Sequence, residues 1–401
     1  MTAPPVASRN RGAVLVHVAI LMFVLLAVSA LAIDLGVMWL ARSQAQNAAD
    51  AGALAGAVSL AFESVDNTPT GPAAIQAAAT ANENRVFGEV AGVTPSPPDV
   101  TFPTCPDGTD TCIRVNVYRN QDRGNALPVF FARLFGVNEQ GVQAMAIAQA
   151  GFGSSSSCMK PWAIPDRWIE NLAPGEDPTL PTYDGGPISG GIDIYDGNEF
   201  LPDGKTLNLN YTGYKGPAWR EMPGGSDEGK LVRLKEGKPQ DAPVPGWFQP
   251  IDEPPARPGG NVYRDDIATC NVTTYESGDP LTVEPGNMIG PTKQGVEALI
   301  ASDSGTIWHS TPTAQNPDFG YYDCQPSMGP CTGARVGAIA IYDPGIYLRS
   351  GRKDIVTKYL LGFYVVGMDG NDVIGRFVGR LATSSGAGPK TSWLRIIRLV
   401  R

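Results

Sequence analysis

GAVLVHVAILMFVLLAVSALAI, residues 12–33, runs without a break into DLGVMWLARSQAQNAADAGALAGAVSLAF, residues 34–62, and the join between them decides how the chain is built. The first segment has 22 residues, one ionisable group (His17) and no formal charge. At 1.5 Å per residue it makes about 33 Å of helix, enough to cross a hydrocarbon core of roughly 30 Å. Arg9 and Arg11 precede it, and the first charge after it is Asp34. Positive-inside reasoning therefore places residues 1–11 in the cytoplasm, 12–33 in the bilayer and everything later on the far side. A cleaved secretory signal is the rival reading, because Ala30-Leu31-Ala32 fits the small-x-small cleavage pattern. Against it, the apolar run exceeds the usual 7–15 residues of a signal, and helix-forming sequence continues past the cut. His17 is read as a neutral imidazole near the cytoplasmic edge rather than a proton relay.

No helix breaker occurs between Ile33 and Pro69, so the membrane helix is expected to continue outward. Ala41, Ala45, Ala49, Ala53 and Ala57 form one row at i+4 spacing, and Ala48, Gly52 and Gly56 run beside it. Adjacent ridges of such small side chains let another helix approach closely. High helix propensity explains the alanines equally well, but glycine lowers propensity, so Gly52 and Gly56 favour packing. The natural partner is a second helix from Pro72 to Phe87 with matching rows Ala73, Ala77, Ala81 and Ala74, Ala78.

Composition narrows the rest. Gly (47) and Pro (35) make up about a fifth of 401 residues, which predicts many turns and short strands. A net charge of −9 argues against a nucleic-acid partner, which would need a basic face. Two histidines, His17 and His309, exclude a multi-histidine metal site. All six cysteines lie beyond the membrane segment, and an even number in an exported domain points to disulfides. CPDGTDTC (105–112) and CQPSMGPC (324–331) are short and turn-rich, so Cys105 pairs with Cys112 and Cys324 with Cys331, leaving Cys158 for Cys270. None has zinc-type CxxC spacing, and no metal or cofactor is expected.

The predicted fold class is α+β. The membrane helix continues into an Ala-rich helical stalk and small α/β module over 34–150. That module holds a strand at 113–117, a short amphipathic helix at 127–137 and a strand at 142–150. GFGSSSS (151–157) reads as a linker, and 158–401 as one disulfide-bonded β-rich domain, sandwich- or barrel-like. Within it 292–302 is helical, the C-terminal runs 336–343, 356–369, 372–382 and 392–400 are strands, and Met368-Asp369-Gly370-Asn371 is a hairpin turn.

The core Asp-Leu-Gly … Ala-Arg … Gln-Asn-Ala-Ala-Asp-Ala-x-Ala-Leu-Ala, residues 34–55, resembles the TadE/TadG-like N-terminal region of bacterial Flp (tight adherence) pilus-assembly proteins, here of the TadG type. VNVYRN, VFFARLFGV, VQAMAIAQA, CMKPWAIPD (158–166) and PGNMIGPTKQGV (285–296) also look like such chains, more loosely. The resemblance implies a single-pass inner-membrane protein with a periplasmic bulk that helps assemble or anchor a type IV-like pilus. It implies other pilus-assembly or pseudopilin-like membrane proteins, or a second copy of the chain, as partners. Two features depart from relatives of that kind. Where many pilins place Glu five residues after the processed Gly, Gly12 is followed by His17, which argues against filament insertion. The Asp-x-Ser-x-Ser metal motif of von Willebrand A domains is absent.

Catalytic signals are thin, and the chain is read as non-enzymatic. Asp303-Ser304-Gly305-Thr306 matches an aspartic-protease loop, but a second copy is missing, so a helix-terminating turn is the plainer reading. A serine triad would have to use His309, and no Gly-x-Ser-x-Gly elbow accompanies it. Asp193, Asp196 and Glu199, with Asp184 and Asp203, are weak calcium candidates without EF-hand spacing; solvated loop charges are the default. The residues singled out for function are therefore the helix-packing positions Ala41, Ala45, Ala49, Gly52, Ala53 and Gly56. An envelope-anchored adhesin using Trp219, Trp247, Tyr321 and Tyr322 is the alternative.

Overall fold

The computed structural model describes residues 11–63, 66–166, 168–169, 194–195, 227–237, 247–253, 259–313, 317–342, 347, 354–383 and 394–400. They fall into two units, 1–150 with 397–401, and 151–396.

The first unit is built on α1, a single helix of 52 residues, Arg11–Phe62. Apolar side chains from Val14 to Ile33 are exposed around the helix, and it is long and apolar enough to cross a membrane. Beyond that stretch the pattern changes to one buried stripe, with Ala41, Ala45, Ala49, Ala53 and Ala57 fully buried. Helix α2, Pro72–Asn82, begins with proline at its first turn, where the missing N–H costs nothing, and buries Ala73, Ala74, Ala77, Ala78 and Ala81. Strands β1 (Val100–Thr101), β2 (Cys112–Arg119) and β3 (Val142–Phe152) form an antiparallel sheet. β2 and β3 pair from Cys112↔Gln149 to Arg119↔Val142. Ile113, Val115 and Val117 alternate inward with Ala144, Ala146 and Ala148, and share one core with the two helices.

Two expectations fail here for local reasons. The helix expected over 72–87 stops at Asn82, whose side chain donates to Val93 O and accepts from Val93 N, both at 2.8 Å. Phe87 and Gly88 then turn through positive φ between the paired segments Arg85–Val86 and Glu89–Val90. The helix expected over 127–137 is instead a two-residue ladder, Leu127–Pro128 with Glu139–Gln140, around a 3-10 turn at Ala132–Phe135. Gly136 at φ +83 ends that turn.

In the second unit, β4 (Met159–Pro165), β5 (Leu231–Glu236), β6 (Trp247–Asp252), β10 (Val336–Tyr342), β11 (Asp354–Asp369) and β12 (Asp372–Val378) pair in a circuit. β4 lies parallel to β10 and antiparallel to β6, and β6 meets β5 through a short parallel pairing at Lys235↔Trp247. β5, β12, β11 and β10 follow as antiparallel neighbours, which returns the sheet to its start. β7 (Pro280–Val283) joins β6 to β11 at one end. Among the described residues the sheet thus closes on itself, the barrel-like of the two shapes expected for this β-rich region.

Alternation explains why both faces need cover. Trp162, Ile164, Phe248, Ile339, Phe363 and Phe377 share one cluster, while Met159, Ala163, Ala338, Ala340 and Leu360 point to another. The first cluster is sealed by α3 (Gly260–Ala268) and α4 (Ile289–Ser302), through Tyr263, Ile267, Val296 and Leu299. Trp162 packs on Phe248 and Phe363 at ring separations of 5.8 and 6.2 Å, and its indole N–H donates to Tyr263 Oη at 3.0 Å. α3 escapes a sequence reading because GNVYRDDIA has few apolar residues; Tyr263 and Ile267, at i and i+4, do all its burying. A hairpin, β8 (Thr306–Ser310) and β9 (Gly320–Cys324), packs Trp308 and Tyr322 beside Tyr364.

Residues 151–157, expected as a flexible linker, are held. β3 continues to Phe152, and Ser155–Ser156 pairs with Tyr275–Glu276. Glycine serves close approach there: a Cβ on Gly151 would meet Ile396 at 3.0 Å, and one on Gly153 would collide with Ala382. The closing strand β13, Leu394–Val400, begins in the second unit and ends in the first, which moves 397–401 out of the domain expected over 158–401. The six cysteines are bonded Cys105–Cys112, Cys158–Cys270 and Cys324–Cys331.

Candidate functional site

Helix α1 meets its own α2 at Gly52 and Gly56. Ala41, Ala45, Ala49 and Ala53 are fully buried, and the two glycines make the closest approach. A Cβ added to Gly52 would lie 2.8 Å from Ala77 O and 2.9 Å from Ala81 Cβ. One added to Gly56 would lie 3.0 Å from Ala77 Cβ and 3.1 Å from Ala73 O. Backbone oxygens cannot swing aside, so these positions accept no side chain.

Asp34 stands at i, i+7 and i+11 with Ala41 and Ala45, on the same face of α1. Its buried carboxylate accepts three consecutive backbone N–H groups, Phe130 at 3.0 Å, Phe131 at 3.0 Å and Ala132 at 2.7 Å. A charge at the end of a buried alanine row is the signal that would have found this contact in the sequence. The contact fixes a loop carrying Phe130 and Phe131, 54% and 38% exposed, beside the point where the helix leaves its apolar stretch. Asp34→Ala should therefore abolish hydrogen-exchange protection of amides 130–132 while leaving the amides of 41–57 protected. Unchanged protection at 130–132 would show that the carboxylate does not hold the loop.

The second unit has a buried polar cluster near the Cys158–Cys270 bond. Lys160 is fully buried on the same strand face as Trp162, and its Nζ donates to Ile267 O at 2.8 Å and Thr269 O at 2.9 Å, closing the end of α3. Burial pulls its pKa down to about 8, partly offset by the Glu253 charge. Glu253 accepts from Asn271 Nδ2 at 2.8 Å, and burial, aided by Asp266 and Asp252, pushes its carboxyl up to about 8 against the opposing pull of Asn271 and Lys160. In the folded chain Glu253 holds its proton up to about pH 8, whereas unfolded it releases it near the ordinary value of 4.5. Its contribution to stability is thus present below pH 4.5 and lost as pH rises towards 8. Urea titrations of Glu253→Gln should show a flatter loss of stability over that window than the parent chain. Equal slopes would place the parent's pH dependence elsewhere.

Asp303, part of the protease-like tetrad, is sealed within the fold. Its carboxylate accepts the backbone N–H of Thr332, Gly333 and Arg335 at 2.8, 3.1 and 2.8 Å and the Thr306 hydroxyl at 2.7 Å. It ties the end of α4 to the segment after Cys331, which is structural work. His309 Nε2 lies 2.8 Å from Asp323 and its ring stacks on Tyr321 at 5.0 Å. Of the aromatics considered for ligand contact, Tyr321 is half exposed, Tyr322 stacks against Tyr364, and Lys235 Nζ sits 4.5 Å over the Trp247 ring. Asp184, Asp193, Asp196, Glu199, Asp203 and Trp219 lie outside the described residues. Among the described residues no group of three metal-ligating side chains converges.

The first unit thus joins a helix long and apolar enough to cross a membrane to a close-packed helix pair, with the Asp34 carboxylate holding the 130–132 loop at the end of the apolar stretch. Residues 12–59 match the family described as Flp pilus-assembly TadE/G-like, and residues 36–148 match that described as Tad-like Flp pilus-assembly. These matches cover residues 12–148, about a third of the chain, and support a role in Flp/Tad pilus assembly. No curated protein and no solved structure matches the chain.

Proposed function

We propose that the protein is a single-pass component of the bacterial inner membrane, with residues 1–11 in the cytoplasm and the bulk in the periplasm, and that it assembles or anchors the pilus by protein contact without catalysing a reaction. The observation that carries this reading is the division of α1. Its first half offers apolar side chains on all sides, as a lipid-facing span does, and its second half is the buried spine of a packed module. Three disulfides suit the oxidising side of that membrane. Gly52 and Gly56 lie against the chain's own α2 and Ala41, Ala45, Ala49 and Ala53 are buried in the core they share with it, so these residues build the module, and partners engage the lipid-exposed half of α1 and the outer surfaces.

Topology and role are tested together. Alkaline phosphatase fused after residue 150 should be active and fused at residue 11 inactive, and deletion of the gene should remove surface pili. Active enzyme at residue 11 would reverse the orientation, and normal piliation would remove the assembly role.

A further inference from the structure

Above the apolar stretch of α1 lies a groove of about 1070 Å³, with Trp39 and Arg42 on its helical wall and Val142 to Met145 of β3 opposite. Trp39 is 80% exposed. Arg42 is the one arginine or lysine between residues 12 and 62. The acids that share that half of the helix are engaged elsewhere, Asp34 by three amides and Asp50 by Gln46 Nε2 at 2.8 Å. Among the described residues Arg42 has no ion pair or side-chain hydrogen bond.

We propose that this groove holds the headgroup of an anionic phospholipid from the leaflet through which α1 leaves the bilayer, with the lipid phosphate on the Arg42 guanidinium. The proposal rests on the membrane-anchor reading given above. Trp39 lies about 9 Å and Arg42 about 13.5 Å along the helix beyond Ile33. The polar zone of one leaflet is roughly 5–8 Å deep, so the Trp39 backbone lies at its outer edge and its ring, leaning back along the helix, reaches the level tryptophan favours. Helical side chains lean toward the helix N-terminus, here back toward the lipid, and so the long arginine reaches the phosphate layer from above. A planar fork of donors matches phosphate oxygens in a way a lone ammonium does not.

The apolar part of the ligand has a path as well. Leu31, Leu35 and Trp39 follow at i+4 spacing and are all exposed, a continuous row from the spanning segment into the groove. On another face of α1, Asp34 holds the exposed Phe130 and Phe131 at the same height, so the surface around the helix exit is apolar and continuous with the bilayer.

The test uses the full chain in nanodiscs of either dioleoyl phosphatidylglycerol or dioleoyl phosphatidylcholine, ejected and weighed by native mass spectrometry. The parent should retain one phosphatidylglycerol and no matching phosphatidylcholine. Arg42→Gln should lower that retention about tenfold or more, and Arg42→Lys by less. Equal retention by Arg42→Gln, or equal retention of both lipids, overturns the site. Displacement of phosphatidylglycerol by millimolar inorganic phosphate would make the ligand a free anion and overturns the lipid assignment. Carbonate extraction of cell membranes separates the two readings. Release of the parent chain overturns the anchor and the lipid site together, whereas retention with no Arg42-dependent lipid overturns the site alone.

Discussion

Gly52→Leu is expected to unfold the first unit at ordinary temperature, and Gly52→Ala to destabilise it even though alanine is the better helix former. Two effects compete in the alanine variant. Intrinsic propensity favours Ala over Gly by about 1 kcal/mol. Against it, the new methyl would sit 2.8 Å from Ala77 O, and forcing helices apart in a close-packed core costs about 1–3 kcal/mol. The carbonyl belongs to the backbone of α2 and cannot rotate away, so the clash wins. For leucine the added volume has no cavity to enter, and the loss rises to about 3 kcal/mol or more. Gly36 supplies the control on the same helix: nothing lies within 4 Å of its added Cβ. Gly36→Ala should stabilise by up to about 1 kcal/mol. Thermal unfolding of the three variants in one detergent reads both signs, and a Gly52→Ala protein more stable than the parent would refute tight packing on this face. Ala49→Leu, from the adjacent buried row, should behave as Gly52→Leu does.

Removing the Cys158–Cys270 bond should cost the second unit about 4–5 kcal/mol, the chain-entropy value for a loop of this length. The bond joins residues 112 apart, whereas Cys105–Cys112 and Cys324–Cys331 each span 7. By the same reasoning either short loop is worth about 2.5 kcal/mol. The long bond also stands among tertiary contacts: Cys158 N–H donates to Asn271 O at 2.7 Å, and Lys160, two residues on, closes α3. Denaturant midpoints of the three Cys→Ala pair variants should therefore rank the 158–270 pair as the most damaging. A ranking in which either local pair costs more would mean that the unfolded chain already brings 158 and 270 together.

The legible parts of the molecule were those governed by local periodicity. A 3.6-residue stripe of alanine, an unbroken apolar run and period-2 strands at 336–342 and 354–369 need no long-range information. The family resemblance rested on the same N-terminal residues that the Tad families match. What escaped depended on partners distant in sequence. The segment 127–137 has a helical pattern, yet Asp34, 96 residues earlier, takes the amide of Phe130. GFGSSSS reads as a joint, yet its glycines are small because Ile396 and Ala382 press on them. Barrel closure rests on a two-residue parallel pairing between β5 and β6, too short to leave a mark in the sequence. Asp34 itself was visible as the first charge after the apolar run, and its role needed only the observation that it shares a face with Ala41 and Ala45.

The return of 397–401 to the first unit has a consequence for biosynthesis. Residues 12–150 are made before the second unit and carry the apolar stretch, the helix pair and most of the small sheet. That sheet still lacks its last segment, which lies next to β3, until the entire second unit has been made. Quality control acting on the module would thus report on the second unit as well, because a nascent product that stalls anywhere before residue 397 presents an unfinished edge beside β3.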